Sequence, residues 1–374
     1  MNVNSSDRHF SCAGMAILLA SLLAGCSLHQ RADLSALSTH LAAPAYARDP
    51  SFPQPSRIEF NTVSWVERDP QTKLIYVLQR AAPAVSVWTT SGALVSAWNT
   101  QALGDPHSIS ISPKADAGAP ATAWITDMAP PRLAGTGYGH CLKQFTLAGN
   151  LLSTIGRCAE NSQGTGLNPL QFDKVTDIAW SAPGDFFVSD GDLNGLNNRV
   201  LKLDPGGRLS ANWSAPDDRP GSGPMQFNLP HALIVDGCDR VWVADTLNHR
   251  VQVIGTDGTY YGALKSFGSL GVYALAFGPS RPSPPETILF VGASPTSGGG
   301  IGTVFLFRVP VDCSHRAMIG SATPFASFDV PIPSSTSMTL LHSITVDPET
   351  WDVYLATLGG ALPPQKWTAT WPKE

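Results

Sequence analysis

An internal repeat constrains the fold of this chain more than any other feature. Residues 227–254, FNLPHALIVDGCDRVWVADTLNHRVQVI, contain several short apolar stretches that alternate with period two and are separated by tight turns. Residues 172–204 carry the nearest copy, including the segments FFVSDG and NRV. This pattern predicts short β-strands. A lone sheet of three or four such strands is only marginally stable, so several copies must pack together.

The repeat occurs six times. The units begin near residues 57, 105, 172, 227, 271 and 339, and none of them shows the period of an amphipathic helix. A repeat length of roughly 40–60 residues indicates a propeller or a solenoid. Six four-stranded units closed in a ring would form an all-β, six-bladed β-propeller, which leaves only short, protected sheet edges. We expect this propeller to be one domain spanning residues 57–374, with a solenoid or a β-sandwich as the alternative.

The composition agrees with such a fold and excludes one class of partner. The 374 residues include 34 Gly and 31 Pro, which suits a turn-rich all-β protein. The formal net charge is −5, and no run of Lys or Arg is present. Because nucleic-acid binding needs a basic surface, nucleic acid is not an expected partner.

The N-terminal residues read as a targeting segment. The apolar run at 14–24 is too short to span a bilayer and is typical of a signal peptide. The ending L-A-G-C resembles the lipobox of bacterial lipoproteins, which implies that residues 1–26 are a signal and that Cys26 carries lipid. An ordinary secretory signal with a chance cysteine is the alternative. Because Ser27 follows the cysteine, the resemblance implies an envelope lipoprotein of the outer membrane, facing the periplasm, with residues 27–56 as a flexible tether.

Four cysteines remain in the exported part of the chain. Cys141 and Cys158 flank a predicted hairpin, so we expect a disulfide between them. Pairing of Cys238 with Cys313 is then possible by elimination. Because no C-x-x-C spacing occurs, a cysteine zinc site is not supported.

Three histidines stand at the same place in alternate units. His107, His231 and His342 each enter the innermost strand of units two, four and six, whereas units three and five have Thr176 and Tyr273 there. In a six-bladed ring, alternate blades place three imidazoles about 120° apart around the axis. Three His nitrogens with an open fourth position are typical of a catalytic zinc site. The alternative is that each histidine caps its own strand.

The repeat also carries a family resemblance. V-S/A-D-G followed by N-x-R-V and a glycine turn is the pattern of NHL repeats. The combination F-x-x-P-H-x-L-x-V, V-A-D and N-x-R-V-Q in unit four, after F-V-S-D-G in unit three, resembles the peptidyl-α-hydroxyglycine α-amidating lyases (peptidylamidoglycolate lyases) over about residues 57–372. Those enzymes are six-bladed propellers that hold zinc through three His, carry a structural calcium, and cleave a C-terminal α-hydroxyglycine into a peptide amide and glyoxylate.

Carried over residue by residue, the resemblance implies zinc ligation by the three histidines and a substrate-facing role for Arg80. Three positions depart from the family. Asp192 stands where the family has the Tyr proposed as the base, and Thr246 stands where it has an Arg of the site. Asp192 is either a carboxylate base in place of the phenol or a solvated turn residue. Ser343 replaces a calcium-binding Asp, which argues against calcium because a hard cation prefers anionic oxygen.

Two functions follow from these residues. The retained histidines favour a zinc-dependent lyase or hydrolase with an altered substrate, acting on a small or peptide-derived ligand; Arg80 and Tyr273 would then stabilise a negative oxygen near the metal. The three departures favour a non-catalytic propeller that binds a protein or glycan at the cell envelope. The fold alone does not decide between them.

Overall fold

Six four-stranded antiparallel sheets make up the described part of the chain. The computed structural model describes residues 43–112, 120–128, 140–158, 166–182, 184–282, 285–310, 313, 322–333 and 339–372. Each sheet is one blade, with its strands in chain order from the axis outward except in the last blade. Blade 1 consists of β2 (Val63–Arg68), β3 (Ile75–Gln79), β4 (Val85–Trp88) and β5 (Leu94–Ala97). Blade 2 consists of β6 (Pro106–Ile111), β7 (Thr122–Asp127), β8 (Cys141–Thr146) and β9 (Leu151–Gly156).

The other blades follow the same plan. Blade 3 consists of β10 (Val175–Trp180), β11 (Phe186–Asp190), β12 (Arg199–Leu203) and β13 (Leu209–Ser214). Blade 4 consists of β14 (Pro230–Val235), β15 (Arg240–Asp245), β16 (Arg250–Gly255) and β17 (Tyr260–Leu264). Blade 5 consists of β18 (Gly271–Pro282), β19 (Pro285–Ser294), β20 (Gly300–Pro310) and β21 (Ala326–Ile332). Blade 6 consists of β22 (Leu340–Val346), β23 (Val353–Leu358), β24 (Gln365–Thr370) and the N-terminal strand β1 (Ala45–Asp49).

The innermost strands form a closed ring. Each of β2, β6, β10, β14, β18 and β22 contacts the innermost strand of the next blade, and β22 contacts β2. Buried apolar side chains fill the spaces between neighbouring blades. The predicted all-β, six-bladed β-propeller is thereby confirmed. Two 3₁₀ turns, Pro216–Asp218 and Thr246–Asn248, are the helical elements among the described residues, and none of these residues belongs to a helix long and apolar enough to cross a membrane.

The predicted boundary between tether and propeller was wrong. Residues 45–49 form β1, which pairs antiparallel with β24 and completes blade 6 as its outermost strand. Phe52 is also buried, against Tyr354 of blade 6. The C-terminal part of the chain supplies only three strands of blade 6, which leaves β24 as an exposed edge. The N-terminal strand β1 covers that edge. The propeller therefore begins at β1, and the signal segment with Cys26 lies outside the described residues.

A buried ion pair explains why an aspartate and a basic residue recur at fixed places in the repeat. In blades 2, 3 and 4 the last residue of the second strand is a fully buried aspartate bonded to a cation of the third strand. Each aspartate also accepts a backbone N–H from the loop that precedes its blade. The pairs are Asp127–Lys143, Asp190–Arg199 and Asp245–Arg250. The motif therefore ties the entry loop of a blade to two of its strands, and its role is structural.

The described residues include two disulfides. Cys141, at the start of β8, bonds to Cys158, just beyond β9, where the hairpin analysis expected it. Cys238, in the turn between β14 and β15, bonds to Cys313, beyond β20. The second bond links blades 4 and 5 across 75 residues of sequence.

Candidate metal centre

A β-bulge near the start of each innermost strand positions the residue that faces the axis. In all six blades, the ladder between the first and second strands shifts register within the first few residues. A bulge leaves one residue unpaired and re-aims its side chain. The residues at these bulges are Ser64, His107, Thr176, His231, Tyr273 and His342. Histidine therefore occupies the bulge position in alternate blades, as the sequence predicted. Ser64 occupies the same position in blade 1.

The three histidines converge on one point of the axis. One nitrogen of each of His107, His231 and His342 lies within 4.8 Å of the corresponding nitrogens of the other two. Nε2 of His231 and Nε2 of His342 are 3.1 Å apart. Two nitrogen ligands about 2.0–2.1 Å from a tetrahedral zinc lie about 3.3 Å apart, so this separation fits a shared ion. Nε2 of His107 is buried and has no hydrogen-bond partner among the described residues.

The other ring nitrogen of each histidine is held by the next blade. Nδ1 of His107 lies 2.8 Å from the carbonyl oxygen of Thr176, and Nδ1 of His231 lies 2.6 Å from that of Tyr273. Nδ1 of His342 lies 2.6 Å from the carbonyl oxygen of Ser64. Because a carbonyl oxygen only accepts, each Nδ1 donates, and each Nε2 keeps its lone pair for the axis. Such hydrogen bonds fix the tautomer and orientation of metal-binding histidines.

Burial keeps the three rings neutral. Desolvation lowers the pKa of His231 to about 4, and the nearby Asp192 carboxylate opposes that shift. Desolvation, followed by the imidazoles of His342 and His231, holds the pKa of His107 well below the usual range. Desolvation, followed by the imidazole of His231, does the same for the pKa of His342, and the charge of Arg80 contributes to both shifts. Neutral imidazole is the form that binds a metal. At neutral pH a metal would not have to displace protons from these nitrogens.

A pocket of about 130 Å³ lies above the histidine cluster, and His231 and His342 form part of its wall. Arg80 follows β3 and Asp192 follows β11, so both lie on the face where second strands end and innermost strands begin. The guanidinium of Arg80 is paired with Asp105 at 3.3 Å. Oδ2 of Asp192 lies 3.9 Å from Nε2 of His107, while its Oδ1 accepts the backbone N–H of Leu193. Both sequence candidates therefore line the same pocket as His231 and His342.

Tyr273 also lines this pocket. Its ring centroid is 5.3 Å from that of His231. Burial, followed by the charge of Asp192, raises the pKa of Tyr273 to about 12. Its hydroxyl therefore stays protonated at neutral pH and is available as a donor.

Thr246 and Ser343, the two other residues that differ from the lyase pattern, both form hydrogen bonds within the fold. Thr246 is fully buried, and its hydroxyl donates to the carbonyl oxygen of Val272 at 2.6 Å. It offers no charge to the pocket. The hydroxyl of Ser343 accepts the N–H of Val66 at 2.9 Å, which joins blade 6 to blade 1. Ser343 therefore supplies no anionic oxygen at the position where the resemblance implies a calcium-binding Asp.

Trp65 separates the histidines from the other end of the channel. Its ring centroid lies 6.0, 6.0 and 5.9 Å from those of His107, His231 and His342. Its other side lines a second cavity of about 280 Å³, whose wall includes Glu67 and Asp177.

The two carboxyl groups of this second cavity have raised pKa values. Burial, followed by the charges of Asp177 and Asp69, raises the pKa of Glu67 well above its usual range. Burial also raises the pKa of Asp177 to about 7. No motif or repeat position in the sequence pointed to Trp65 or to these carboxyl groups.

Comparison with known proteins relates the chain to two named groups. It is 34% identical over 250 residues to NHL repeat-containing protein 3 of Mus musculus, covering 65% of this chain and 67% of that protein. It is 30% identical over 148 residues to a probable peptidyl-alpha-hydroxyglycine alpha-amidating lyase of Caenorhabditis elegans, covering 39% of this chain and 36% of that protein. No protein-family model matches the chain.

A solved structure supports the fold. The structure of streptogramin B lyase superimposes with a TM-score of 0.50 at 11% identity, over 87% of this chain and 98% of that one. At this identity the likeness concerns the fold alone. The relationship to the amidating lyases is distant, whereas the mouse relative aligns over two thirds of its length. The chain therefore belongs to the NHL repeat-containing protein 3 family, as a six-bladed propeller with a three-histidine cluster on its axis.

Proposed function

We propose that this protein is a zinc-dependent lyase of the amidating type in which Asp192 replaces the usual phenolic base. The observation that carries the proposal is the convergence of three Nε2 lone pairs, each fixed by an Nδ1–H bond, on a pocket that also contains Arg80, Asp192 and Tyr273. His107, His231 and His342 would hold the ion. Zinc, if bound there, would supply Lewis acidity to a substrate oxygen.

The pocket residues suit the chemistry of an α-hydroxyglycine. Arg80, fixed by Asp105, offers a guanidinium to the substrate carboxylate. Asp192 would accept the hydroxyl proton at Oδ2, and the oxygen electron pair left behind would form the C=O double bond of glyoxylate. The carbon–nitrogen bond would break at the same time, with its electron pair remaining on nitrogen. Asp192 then returns the proton to that nitrogen, which leaves an amide and glyoxylate. Tyr273, with its raised pKa, donates a hydrogen bond to the developing negative oxygen.

We also propose that the protein is a lipid-anchored protein of the cell envelope. Residues 1–26 would be removed as a lipoprotein signal, and Cys26 would carry a lipid anchor at the outer membrane, with the propeller in the periplasm. A small or peptide-derived ligand would reach the metal face from there. The variant Cys26→Ser should move the protein from the detergent-soluble to the water-soluble fraction of cell extracts. An unchanged distribution would contradict the anchor.

Turnover of an α-hydroxyglycine-extended peptide tests the reaction. Zinc-loaded protein should release glyoxylate, and His231→Ala should abolish the release. His249→Asn is the matched control, because His249 lies outside the pocket at φ 53°, a conformation that Asn tolerates. Folded, zinc-loaded protein that yields no glyoxylate above background would contradict the lyase. The outcome would then favour a propeller that binds a ligand, protein or glycan without catalysis.

A further inference from the structure

We propose that the 130 Å³ pocket beside the three histidines selects an amphiphilic anion. The carboxylate of such a ligand would lie at blade 1, and its bulky apolar group would lie over blades 3 and 4. The inference names the substrate class of the proposed function and rests on it for the reaction, but binding can be measured without turnover. Five leucines lie in the wall of the pocket together with Arg80, Asp192 and Tyr273. They are Leu193, Leu229, Leu247, Leu340 and Leu358.

The anionic end is assigned by charge. Arg80 is the one cationic side chain among the residues that line the pocket. It lines the pocket together with His231 and His342, so a group bound at the histidines lies within reach of its charge. Its partner Asp105 does not line the pocket. A ligand carboxylate can therefore approach the guanidinium from the pocket side while Asp105 keeps it in place.

The apolar end is assigned by the arrangement of the blades. Arg80 belongs to blade 1, whereas Leu229 and Leu247 belong to blade 4. In a closed ring of six, blades 1 and 4 face each other across the axis. Leu340 and Leu358 belong to blade 6, beside Arg80. A ligand that places its carboxylate on Arg80 and its reacting atom at the histidines can extend its remaining arm across the axis toward Leu229 and Leu247. Leu193, from blade 3, extends the same apolar wall.

Leu193 stands at the mouth of the pocket and is held there. Its side chain is 43% exposed although it lines the pocket. Its backbone N–H donates to Asp192 at 2.7 Å, and the N–H of Leu196 in the same loop donates to Asp173 at 2.6 Å. Covering an exposed leucine with the apolar arm of a ligand removes both surfaces from water, which favours binding. Leu196 is 60% exposed and does not line the pocket.

Isothermal titration of zinc-loaded protein with N-acylglycines tests the assignment. These probes keep the carboxylate and acyl arm but lack the hydroxyl, so they are not cleaved. N-Hexanoylglycine should bind at least about tenfold more tightly than N-acetylglycine, because its longer chain buries against the leucines. N-Hexanoylglycinamide, which lacks the carboxylate, should lose most of the affinity of N-hexanoylglycine.

Two matched variants locate the apolar arm. Leu193→Ser should reduce the preference for the hexanoyl probe severalfold without weakening N-acetylglycine, while Leu196→Ser should leave both affinities unchanged. Equal affinity of the two probes, or equal effects of the two variants, would overturn the inference. Selective binding without glyoxylate release from any hydroxyglycine would refute the lyase and support the pocket assignment. Glyoxylate release with no preference for acyl length would support the lyase and refute the pocket assignment.

Discussion

The buried guanidinium of Arg199 is expected to be among the most sensitive positions of the fold. Its Nε lies 2.9 Å from Asp190 and its Nη1 lies 2.8 Å from Asp218. Its Nη2 donates to the carbonyl oxygen of Gln171 at 2.6 Å. Replacement by Met keeps the length of the side chain but leaves two buried carboxylates without their cation. Breaking a buried ion pair on one side destabilises by about 3–5 kcal/mol, and we expect a loss of this size at pH 8.

The loss should depend on pH in a defined direction. Burial already raises the pKa of Asp190 to about 6, although the charge of Arg199 lowers it. Without Arg199 the pKa in the folded protein rises further above the unfolded value of about 3.9. The folded variant then binds a proton that the unfolded chain does not, so its stability increases as the pH falls through this window. The deficit of the variant should therefore be smaller at pH 5.5 than at pH 8.

Urea unfolding at the two pH values, followed by circular dichroism, measures this deficit. Arg208→Met is the matched control, because Arg208 pairs with Asp204 in the same blade at 2.8 Å but its side chain is 86% exposed. The control should leave the free energy of unfolding unchanged. If Arg199→Met behaves like the control at pH 8, or loses the same free energy at both pH values, the assignment of Arg199 as the cation of a buried network is refuted.

Three further outcomes are expected. Trp65→Ala should lower the free energy of unfolding by about 3–5 kcal/mol in urea titrations yet leave the zinc content unchanged, because backbone carbonyls still hold the histidines; loss of zinc would show that Trp65 is needed for the metal centre. The pKa of Asp177, about 7 in the fold, means that the folded state holds a proton that the unfolded chain releases above about pH 4, so stability should fall as pH rises from 4 to 7. Asp177→Asn should remove as much as about 4 kcal/mol of that decline, and an unchanged pH profile would refute the assignment. Replacing Cys238 and Cys313 by Ser should destabilise by about 4 kcal/mol, given the 75-residue separation, and a loss under 1 kcal/mol would argue against a role for this bond in stability.

The sequence predicted the fold and the histidines because both depend on repetition. Strands of period two and their turns recur at fixed spacing, and the position of His231 within its unit recurs in His107 and His342. Since every innermost strand carries its bulge at the same place, a shared register in sequence becomes a shared direction in space. The convergence of the three histidines could therefore be predicted without knowing any contact between blades.

What the sequence could not predict depends on contacts between different units. Strand β1 joins blade 6 through a pairing of residues more than 300 positions apart, which no local pattern indicates. Leu193 and Leu247 lie in loops of different length and have no common register, so their shared pocket follows only from the closed ring. Trp65 reads as an ordinary core residue in a strand. Its place beneath the three histidines is set by the axis of the whole propeller.

The metal content of the purified protein tests the central claim most directly. Protein saturated with zinc, passed through a desalting column and measured by atomic emission, should retain close to one zinc per chain. His342→Ala should retain almost none, while His249→Asn should match the wild type. A wild-type protein that stays metal-free under these conditions, and whose stability does not respond to a chelator, would contradict the account.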